Sequence, residues 1–260
     1  MPSDYPEAPI LGTRVRELRS SIVGQDYQLS VLLPDSYATS QARYPVLYLL
    51  DGNVTMAVCG VLAGFLTLER VVPELIVVGV GNPIRTGDEW GAHRVRDYTP
   101  VAAADWPGSG GGPQFFRFLR DELLPFIDTE YRTDPTDLAL YGYSLGGLYV
   151  MYALLQQPAL FRRYVAGSPA AFYGQRAIFA CEAEYARGHT ALPAKLFVEV
   201  GGLEDHADDH EFYQAIQTFV AAVRDRNYTG LNMTFMVLDG ETHVTGWPRS
   251  FTLGLKAVYG

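Results

Sequence analysis

The chain has 260 residues, of which 48% are hydrophobic and 19% are charged. This composition is typical of a globular protein and excludes a disordered one. The formal net charge of −9 argues against a nucleic-acid-binding protein, because phosphate binding requires clustered cations. No polybasic segment indicates a membrane partner, and the longest apolar stretch, 71–80, is too short to span a bilayer.

The hydrophobic pattern predicts strands that alternate with helices. The expected strands cover 13–23, 27–33, 46–50, 75–80, 137–141, 161–166, 195–200 and 232–238. The expected helices cover 54–70, 114–130, 145–156, 170–186, 208–226 and 247–258, the fourth being a helix or a lid. The first two strands form a hairpin around 24–26, and the later alternation implies right-handed crossovers. We therefore expect a three-layer α/β domain over 1–260, with a mostly parallel sheet and antiparallel N-terminal strands.

Two segments carry signals of irregular structure. Residues 82–113 include four prolines and end in the glycine tract 108–112, so we predict an irregular stretch with a flexible hinge. Pro125 is expected to kink or end the helix over 114–130.

The N-terminus and the cysteines indicate the compartment. No basic region followed by an apolar one marks a signal peptide, so we expect a cytoplasmic protein. Cys59 and Cys181 form neither a disulfide framework nor a metal cluster, and we expect two reduced thiols.

The motif Gly142-Tyr143-Ser144-Leu145-Gly146 gives the sharpest functional signal. It follows a predicted strand and opens a predicted helix, as in the nucleophile elbow of serine hydrolases. A turn this tight strains the serine backbone, and the flanking glycines avoid collisions with neighbouring elements. The helix N-terminus also offers free N–H groups to a developing negative charge. Ser144 is therefore the candidate nucleophile.

A nucleophilic serine needs a base and an acid that orients the base. His243 follows the last predicted strand, which would bring it beside the elbow. The acid is expected after the strand over 195–200, where the candidates are Glu204, Asp205, Asp208 and Asp209. Spacing alone does not choose among these four carboxylates.

Two further groups of polar residues carry weaker signals. His206 and His210 lie four residues apart, close to metal-ligand spacing, but a metal site needs a third protein ligand, so we interpret them as an exposed helix start. Arg85, Arg94 and Arg96 could bind an anionic substrate, although such charges are more often solvated or paired.

Several segments together resemble the esterase branch of the α/β-hydrolases, which includes siderophore trilactone esterases, feruloyl esterases, S-formylglutathione hydrolases and mycolyltransferases. The resemblance runs from about Val15 to Trp247. The segments that carry it are Tyr48–Asn53, Arg96–Pro100, Tyr131–Pro135, the Ser144 elbow, Ser168-Pro169, Gly201–Glu204 and Gly240–His243.

The resemblance implies an α/β-hydrolase fold and a serine esterase that cleaves a small-molecule carboxylic ester, of siderophore type, without cofactor or metal. It implies Ser144 as nucleophile, His243 as base and Glu204 as acid, with the backbone N–H groups of Asn53 and Leu145 as oxyanion hole. The expected substrate contacts are Arg94, Arg96 and Trp247. A thioesterase, an acyltransferase and a non-catalytic binding protein are the alternatives, and the sequence leaves the oligomeric state open.

Overall fold

One mixed sheet forms the centre of the protein. The computed structural model describes residues 10, 12–84, 86–205 and 210–260. The strands in this part of the chain are β1 (Thr13–Arg19), β2 (Asp26–Leu32), β3 (Tyr44–Leu49), β4 (Ile76–Gly81), β5 (Thr133–Tyr143), β6 (Arg163–Gly167), β7 (Ala191–Gly201) and β8 (Thr229–Leu238). Their order is β1-β2-β4-β3-β5-β6-β7-β8. The first two pairings are antiparallel and the rest are parallel, which confirms the predicted sheet.

Helices cover both faces of this sheet. They are α1 (Gly52–Leu68), α2 (Gly87–Asp97), α3 (Gly112–Phe118), α4 (Leu124–Glu130), α5 (Leu145–Gln156), α6 (Tyr173–Gly188), α7 (His210–Asp225) and α8 (Trp247–Tyr259). Helices α1 and α8 enclose one apolar cluster with the sheet, whereas α3 to α7 enclose a larger cluster on the other face. The three-layer α/β expectation is confirmed.

The position of β3 between the two helical layers explains why its sequence is apolar without alternation. Val46 and Tyr48 belong to the larger cluster, while Leu47 and Leu49 belong to the cluster under α1 and α8. A parallel strand with helices on both sides must be apolar on both of its faces.

The carboxyl ends of strands β5 to β8 meet at one edge of the sheet. Tyr143 pairs with Gly167 at the ends of β5 and β6, Gly167 pairs with Glu199 two residues before the end of β7, and Gly201 pairs with Leu238 at the ends of β7 and β8. Neighbouring strands lie about 4.8 Å apart, so the loops that follow them are brought together.

The N-terminal hairpin has a longer turn than predicted. Ser20 N donates to Gln25 O at 2.8 Å and Gly24 N donates to Ser20 O at 3.0 Å, so the turn occupies 20–25 rather than 24–26. These bonds end the strand pairing at Arg19 and Asp26.

The expectation of an irregular stretch over 82–113 is wrong for its first half, which contains α2. The Thr86 hydroxyl caps this helix by accepting a hydrogen bond from Glu89 N at 3.2 Å. Asp88 lies in the first turn, and Arg94 and Arg96 lie in the last. Each charge interacts favourably with the helix dipole at its own end. The surrounding prolines and glycines concealed these signals.

Three glycines of the tract, Gly110, Gly111 and Gly112, are packed against backbone, so the predicted hinge does not fit these positions. Gly111 N donates to Arg96 O and Gly112 N to Thr99 O, both at 2.9 Å. A Cβ atom on Gly111 would lie 2.7 Å from Arg96 O. The glycines therefore allow close backbone approach, which the sequence pattern does not separate from flexibility.

Pro125 does not end the helical run, which continues to Glu130, but a π-helical turn over Leu119–Leu123 interrupts the regular α-helix just before it. Leu124 N donates to Leu119 O, and α4 then begins with Pro125 in its first turn. A proline is tolerated there because that position lacks an intrahelical partner for its N–H.

Neither a spanning helix nor a disulfide occurs in the described residues. No helix of that part of the chain has the length and apolarity required to cross a bilayer. Cys59 is buried, Cys181 is half-buried and both are free thiols, as predicted.

We expect Gly111→Ala to lower the free energy of unfolding by about 1–3 kcal/mol, the usual range for overpacking. Gly91→Ala is the matched control, because a Cβ atom at Gly91 in α2 meets nothing within 4 Å. The control should leave stability unchanged or raise it slightly. Urea unfolding measures both, and equal stability of Gly111→Ala and wild type would restore the hinge interpretation.

Candidate active site

Ser144 lies at the bend between β5 and α5, where its backbone is strained. Its φ of 60° and ψ of −118° are rarely adopted by a residue with a side chain. Ser144 N donates to Gly167 O at 2.9 Å, and Ser144 O accepts from Leu148 N at 2.9 Å. The first bond extends the pairing with β6 and the second opens α5, so both elements hold the bend.

The predicted need for glycines around the serine is confirmed at Gly142. A Cβ atom there would lie 2.3 Å from Gly146 O. At Gly146 the nearest atom would be Asp51 Oδ2 at 3.4 Å, an ordinary contact, so the tight approach expected there is absent. Gly147, outside the motif, takes that role, since its Cβ atom would lie 2.6 Å from Gly167 O.

His243 lies in the loop after β8, beside a carboxylate. Its Nδ1 atom is 2.8 Å from Glu204 Oε2. The Tyr143 hydroxyl donates to His243 O at 2.8 Å, and the rings of Tyr143 and Phe212 lie with centroids 5.1 Å from the imidazole. These contacts hold the backbone and the ring while the side chain stays 39% exposed.

Glu204 is buried in a 3₁₀ turn, Gly202–Asp205, that follows β7. Gly201 N donates to Glu204 Oε1 at 2.7 Å, and the Ser168 hydroxyl lies 2.8 and 2.7 Å from the two carboxylate oxygens. Leu203 N donates to Glu241 O at 2.9 Å, which joins this turn to the histidine loop. Of the four candidate acids, Glu204 is the one found beside His243; Asp208, Asp209 and the side chain of Asp205 lie outside the described residues.

Ser168 and Glu199 were missed as site residues by the sequence reasoning. Ser168 follows β6, and its hydroxyl is also 3.2 Å from His243 Nδ1. Ser168 N donates to Glu199 Oε1 at 3.0 Å, and Glu199 is fully buried in β7. A glutamate between the apolar residues Val198 and Val200 of a predicted strand was the available signal for Glu199.

Ser144 and His243 line one pocket of about 290 Å3. The other lining residues are Asp51, Val54, Thr55, Trp90, Arg94, Tyr143, Val244 and Trp247. Most of this wall is aromatic or aliphatic, which suits a substrate with a flat apolar group.

Two of the three predicted substrate contacts, Arg94 and Trp247, line this pocket. Arg94 already has partners, because its Nε donates to Asp51 Oδ1 at 2.8 Å and its Nη2 to Tyr143 O at 3.2 Å. Trp90 Nε1 donates to the same Asp51 oxygen at 3.1 Å. Burial raises the pKa of Asp51, and the Arg94 charge acts against that shift. Arg94 therefore also secures the pocket wall.

The predicted substrate contact of Arg96 does not fit the structure. Its guanidinium forms a bidentate ion pair with Asp97, at 2.7 and 2.8 Å, and it does not line the pocket. Asp97 also accepts from the Tyr27 hydroxyl at 3.0 Å, so the pair belongs to the interior packing. Arg85 lies outside the described residues.

Asn53 and Leu145, the predicted oxyanion donors, lie at the starts of two helices. Leu145 is the first residue of α5 and Asn53 the second residue of α1, so neither N–H has an i−4 partner inside its helix. The Asn53 side chain pairs with the backbone of Asn82, donating to its carbonyl at 2.7 Å and accepting from its N–H at 3.0 Å. This exchange holds the start of α1 against the end of β4.

A metal site is not found in the described part of the chain, where no three His, Cys, Asp or Glu side chains are placed to hold an ion. His206 lies outside that part, as does the side chain of His210, so their interpretation stays a prediction.

Comparison with known proteins decides the family. A family model described as "Putative esterase" matches residues 20–257. The chain belongs to this esterase family. Its similarity extends to curated relatives and to solved structures.

Two relatives named as siderophore esterases and one solved structure illustrate the similarity of this esterase to known proteins. Ferri-bacillibactin esterase BesA of Bacillus subtilis strain 168 is 29% identical over 267 residues, covering 95% of this chain and 89% of the relative. The siderophore triacetylfusarinine C esterase of Aspergillus fumigatus is 27% identical over 169 residues, covering 60% and 55%. The crystal structure of the BES protein from Bacillus cereus has a TM-score of 0.85 at 26% identity, covering 99% and 98%. The predicted α/β-hydrolase fold and carboxylic ester hydrolase activity are confirmed.

The esterase carries a second buried carboxyl near Glu204, and its ionisation should affect stability. Burial raises the pKa of Glu199 to about 8, the Glu204 charge acts in the same direction, and the hydrogen bond from Ser168 N acts against it. The neutral form is the stable one in the folded state. Stability is therefore fullest below the ordinary glutamate pKa near 4.5 and is lost as the pH rises to about 8.

We expect Glu199→Gln to remove the loss of folding stability at high pH, because a glutamine does not ionise. Its amide oxygen still accepts the hydrogen bond from Ser168 N. The stability difference between variant and wild type should grow from pH 5 to pH 9, reaching at most roughly 4 kcal/mol. Urea unfolding across this pH range measures it, with the exposed Glu69→Gln as control. A difference that does not change with pH would contradict the prediction.

Proposed function

We propose that the esterase cleaves siderophore-type esters through an acyl-enzyme on Ser144, with His243 as general base and Glu204 as its orienting acid. The observation that carries the proposal is the 2.8 Å contact between His243 Nδ1 and Glu204 Oε2, beside a pocket that Ser144 and His243 line together. A serine hydroxyl attacks esters at useful rates only when an oriented base takes its proton.

The first step is the attack of Ser144 Oγ on the ester carbonyl carbon. His243 Nε2 accepts the serine proton, and Glu204 accepts the hydrogen bond from Nδ1–H. This bond selects the tautomer with a free Nε2 lone pair and stabilises the imidazolium that forms. Ser168 is a positioning residue in this scheme, because its hydroxyl binds the Glu204 carboxylate and thereby holds it toward the ring.

The negative charge of the tetrahedral intermediate falls on the former carbonyl oxygen. The backbone N–H groups of Leu145 and Asn53 are the proposed donors to it, at the starts of α5 and α1. Donors fixed in this way stabilise the transition state by about 3–4 kcal/mol each in comparable sites.

Collapse of the intermediate breaks the bond to the leaving oxygen. The imidazolium of His243 gives its proton to the departing alkoxide, which leaves as an alcohol. Water then attacks the acyl-enzyme, His243 takes and returns a second proton, and the carboxylic acid is released with Ser144 restored.

The siderophore assignment is supported by the names of the relatives and by the pocket. The Bacillus subtilis relative is named for a ferri-bacillibactin substrate and the Aspergillus fumigatus relative for triacetylfusarinine C. The pocket of about 290 Å3 has walls from Trp90, Tyr143 and Trp247. This volume suits one arm of a large ester, since pockets for whole drug-sized ligands run to roughly 1,000 Å3. The cytoplasmic location stays a prediction from the sequence.

Ser144→Ala should reduce ester turnover by about 10⁴-fold or more, because it removes the nucleophile. Ser40→Ala, in the loop that enters β3 at the opposite edge of the sheet, is the matched control and should retain activity. Hydrolysis of a short aryl ester and labelling by a fluorophosphonate measure both variants. Wild-type turnover in Ser144→Ala would exclude the acyl-enzyme.

A substrate series separates the siderophore assignment from the ester chemistry. Trilactone siderophores, feruloyl esters and formyl thioesters are compared by kcat/KM with the wild-type protein. The trilactones should give the highest value. A higher kcat/KM for the thioester would show that the substrate is a thioester rather than a siderophore ester, and it would leave the Ser144 mechanism in place.

Glu204→Gln should lower kcat by about 10³–10⁴-fold, because a neutral amide neither selects the same imidazole tautomer nor stabilises the imidazolium. Asp205→Asn is the matched control one residue further on, and we expect it to change kcat by less than about fivefold, because Glu204 already occupies the position beside His243 Nδ1. Steady-state kinetics on the short aryl ester distinguish the two. A larger loss of kcat in Asp205→Asn than in Glu204→Gln would assign the role of the acid to Asp205 instead.

A further inference from the structure

Helix α1 carries an apolar face that nothing in the described chain covers. Its inner side packs on the sheet through residues such as Met56, Cys59 and Ala63. Its exposed residues are all apolar: Val54, Ala57, Val58, Val61, Gly64, Phe65 and Leu68. The helix contains no charged residue between Gly52 and Leu68. An exposed helix of a monomer normally presents charged or polar side chains on that face.

The large residues of this face follow the spacing of a helix–helix seam. Val54, Val58, Val61, Phe65 and Leu68 are separated by four, three, four and three residues. Alternating three- and four-residue steps place side chains along one line of the helix, where they meet a partner helix. Their exposed fractions range from 37% for Val58 to 74% for Leu68.

We propose that this face is the interface between two copies of the chain, with the two α1 helices packed antiparallel around a twofold axis at Val61. In that register Val54, which also lines the pocket of Ser144 and His243, lies opposite Leu68 of the second copy at the edge of that pocket. Ala57 lies opposite its Phe65, Val58 opposite its Gly64 and Val61 opposite its Val61. The seam is thus complementary to itself, as a twofold interface requires.

The small residues of the face support a second copy as the occupant. Each of the two inner pairs matches a small residue with a larger one, Ala57 with Phe65 and Gly64 with Val58. A Cβ atom on Gly64 would meet nothing within 4 Å in this chain. A glycine inside a helix costs about 1 kcal/mol relative to alanine, and packing within one copy does not explain it. The glycine is explained by a second copy, whose Val58 side chain would occupy the space beside Gly64.

The size and charge of the face agree with a helix pair rather than a lipid surface. The helix is roughly 25 Å long, and joining two such faces would bury on the order of 1,000 Å2, the lower limit of specific interfaces. We therefore expect dissociation in the micromolar range. Membrane-surface helices carry Lys and Arg beside the apolar face, and α1 has neither.

Cysteine cross-linking tests the twofold axis. In a Cys181→Ser background, Val61→Cys should form a covalent dimer on mild oxidation, because the two residues at position 61 face each other across the axis. Val15→Cys is the matched control, at a site on β1 that is 55% exposed, and it should not form a covalent dimer. Val58→Cys alone should cross-link poorly, whereas Val58→Cys with Gly64→Cys should cross-link well. Equal cross-linking at 15 and 61, or none at 61, would overturn the proposal.

Sedimentation equilibrium tests the same interface without cross-linking. Wild type should be dimeric at about 100 µM, and Val61→Glu should be monomeric because it places two like charges on the axis. At a protein concentration low enough for the wild type to be monomeric too, thermal melting and hydrolysis of a short aryl ester should be the same in Val61→Glu and wild type, which separates a lost interface from misfolding. A wild type that stays monomeric at this concentration overturns the proposal. Binding of that monomer to phospholipid vesicles, lost in Val61→Glu, would assign the face to lipid instead.

Discussion

Parallel pairing of strands β5 to β8 is the constraint on which the site depends. Each of these strands ends at the same edge of the sheet and is followed by one site residue: Ser144, Ser168, Glu204 and His243 in turn. Ser144 and His243 are 99 residues apart in the chain. They nevertheless line one pocket, because this pairing brings the ends of their strands together. A register shift of one residue in any of the four strands would turn the preceding side chains to the opposite face.

Two buried carboxyls near the imidazole have opposite surroundings. Glu204 receives hydrogen bonds from Gly201 N and from the Ser168 hydroxyl as well as from the imidazole. Burial keeps the pKa of Glu199 high, so it stays neutral at neutral pH. Ser168 links the two carboxyls through its hydroxyl and its N–H.

Sequence reasoning failed where local composition has two physical meanings. Glycines allow both flexibility and close backbone approach, and the contact between Gly111 and Arg96 O selects the second meaning. Pro125 disrupts a regular helix, but the preceding π turn moves it into a first turn where no N–H is needed. Arg96 was expected to face a substrate, whereas its adjacent Asp97 takes both of its hydrogen bonds. In each case a contact that the pattern does not contain decided the outcome.

The sequence by itself predicted the order of the strands and of every helix except α2, the elbow at Ser144 and the choice of His243, because hydrophobic period and a strand–turn–helix motif are local properties. It left four candidate acids, since neighbouring carboxylates in one loop look alike in a pattern. The tertiary structure placed Glu204 beside His243, added the contacts of Ser168 and Glu199, and paired Arg96 with Asp97. Distances across neighbouring strands decide such contacts, and those distances arise only when the sheet is assembled.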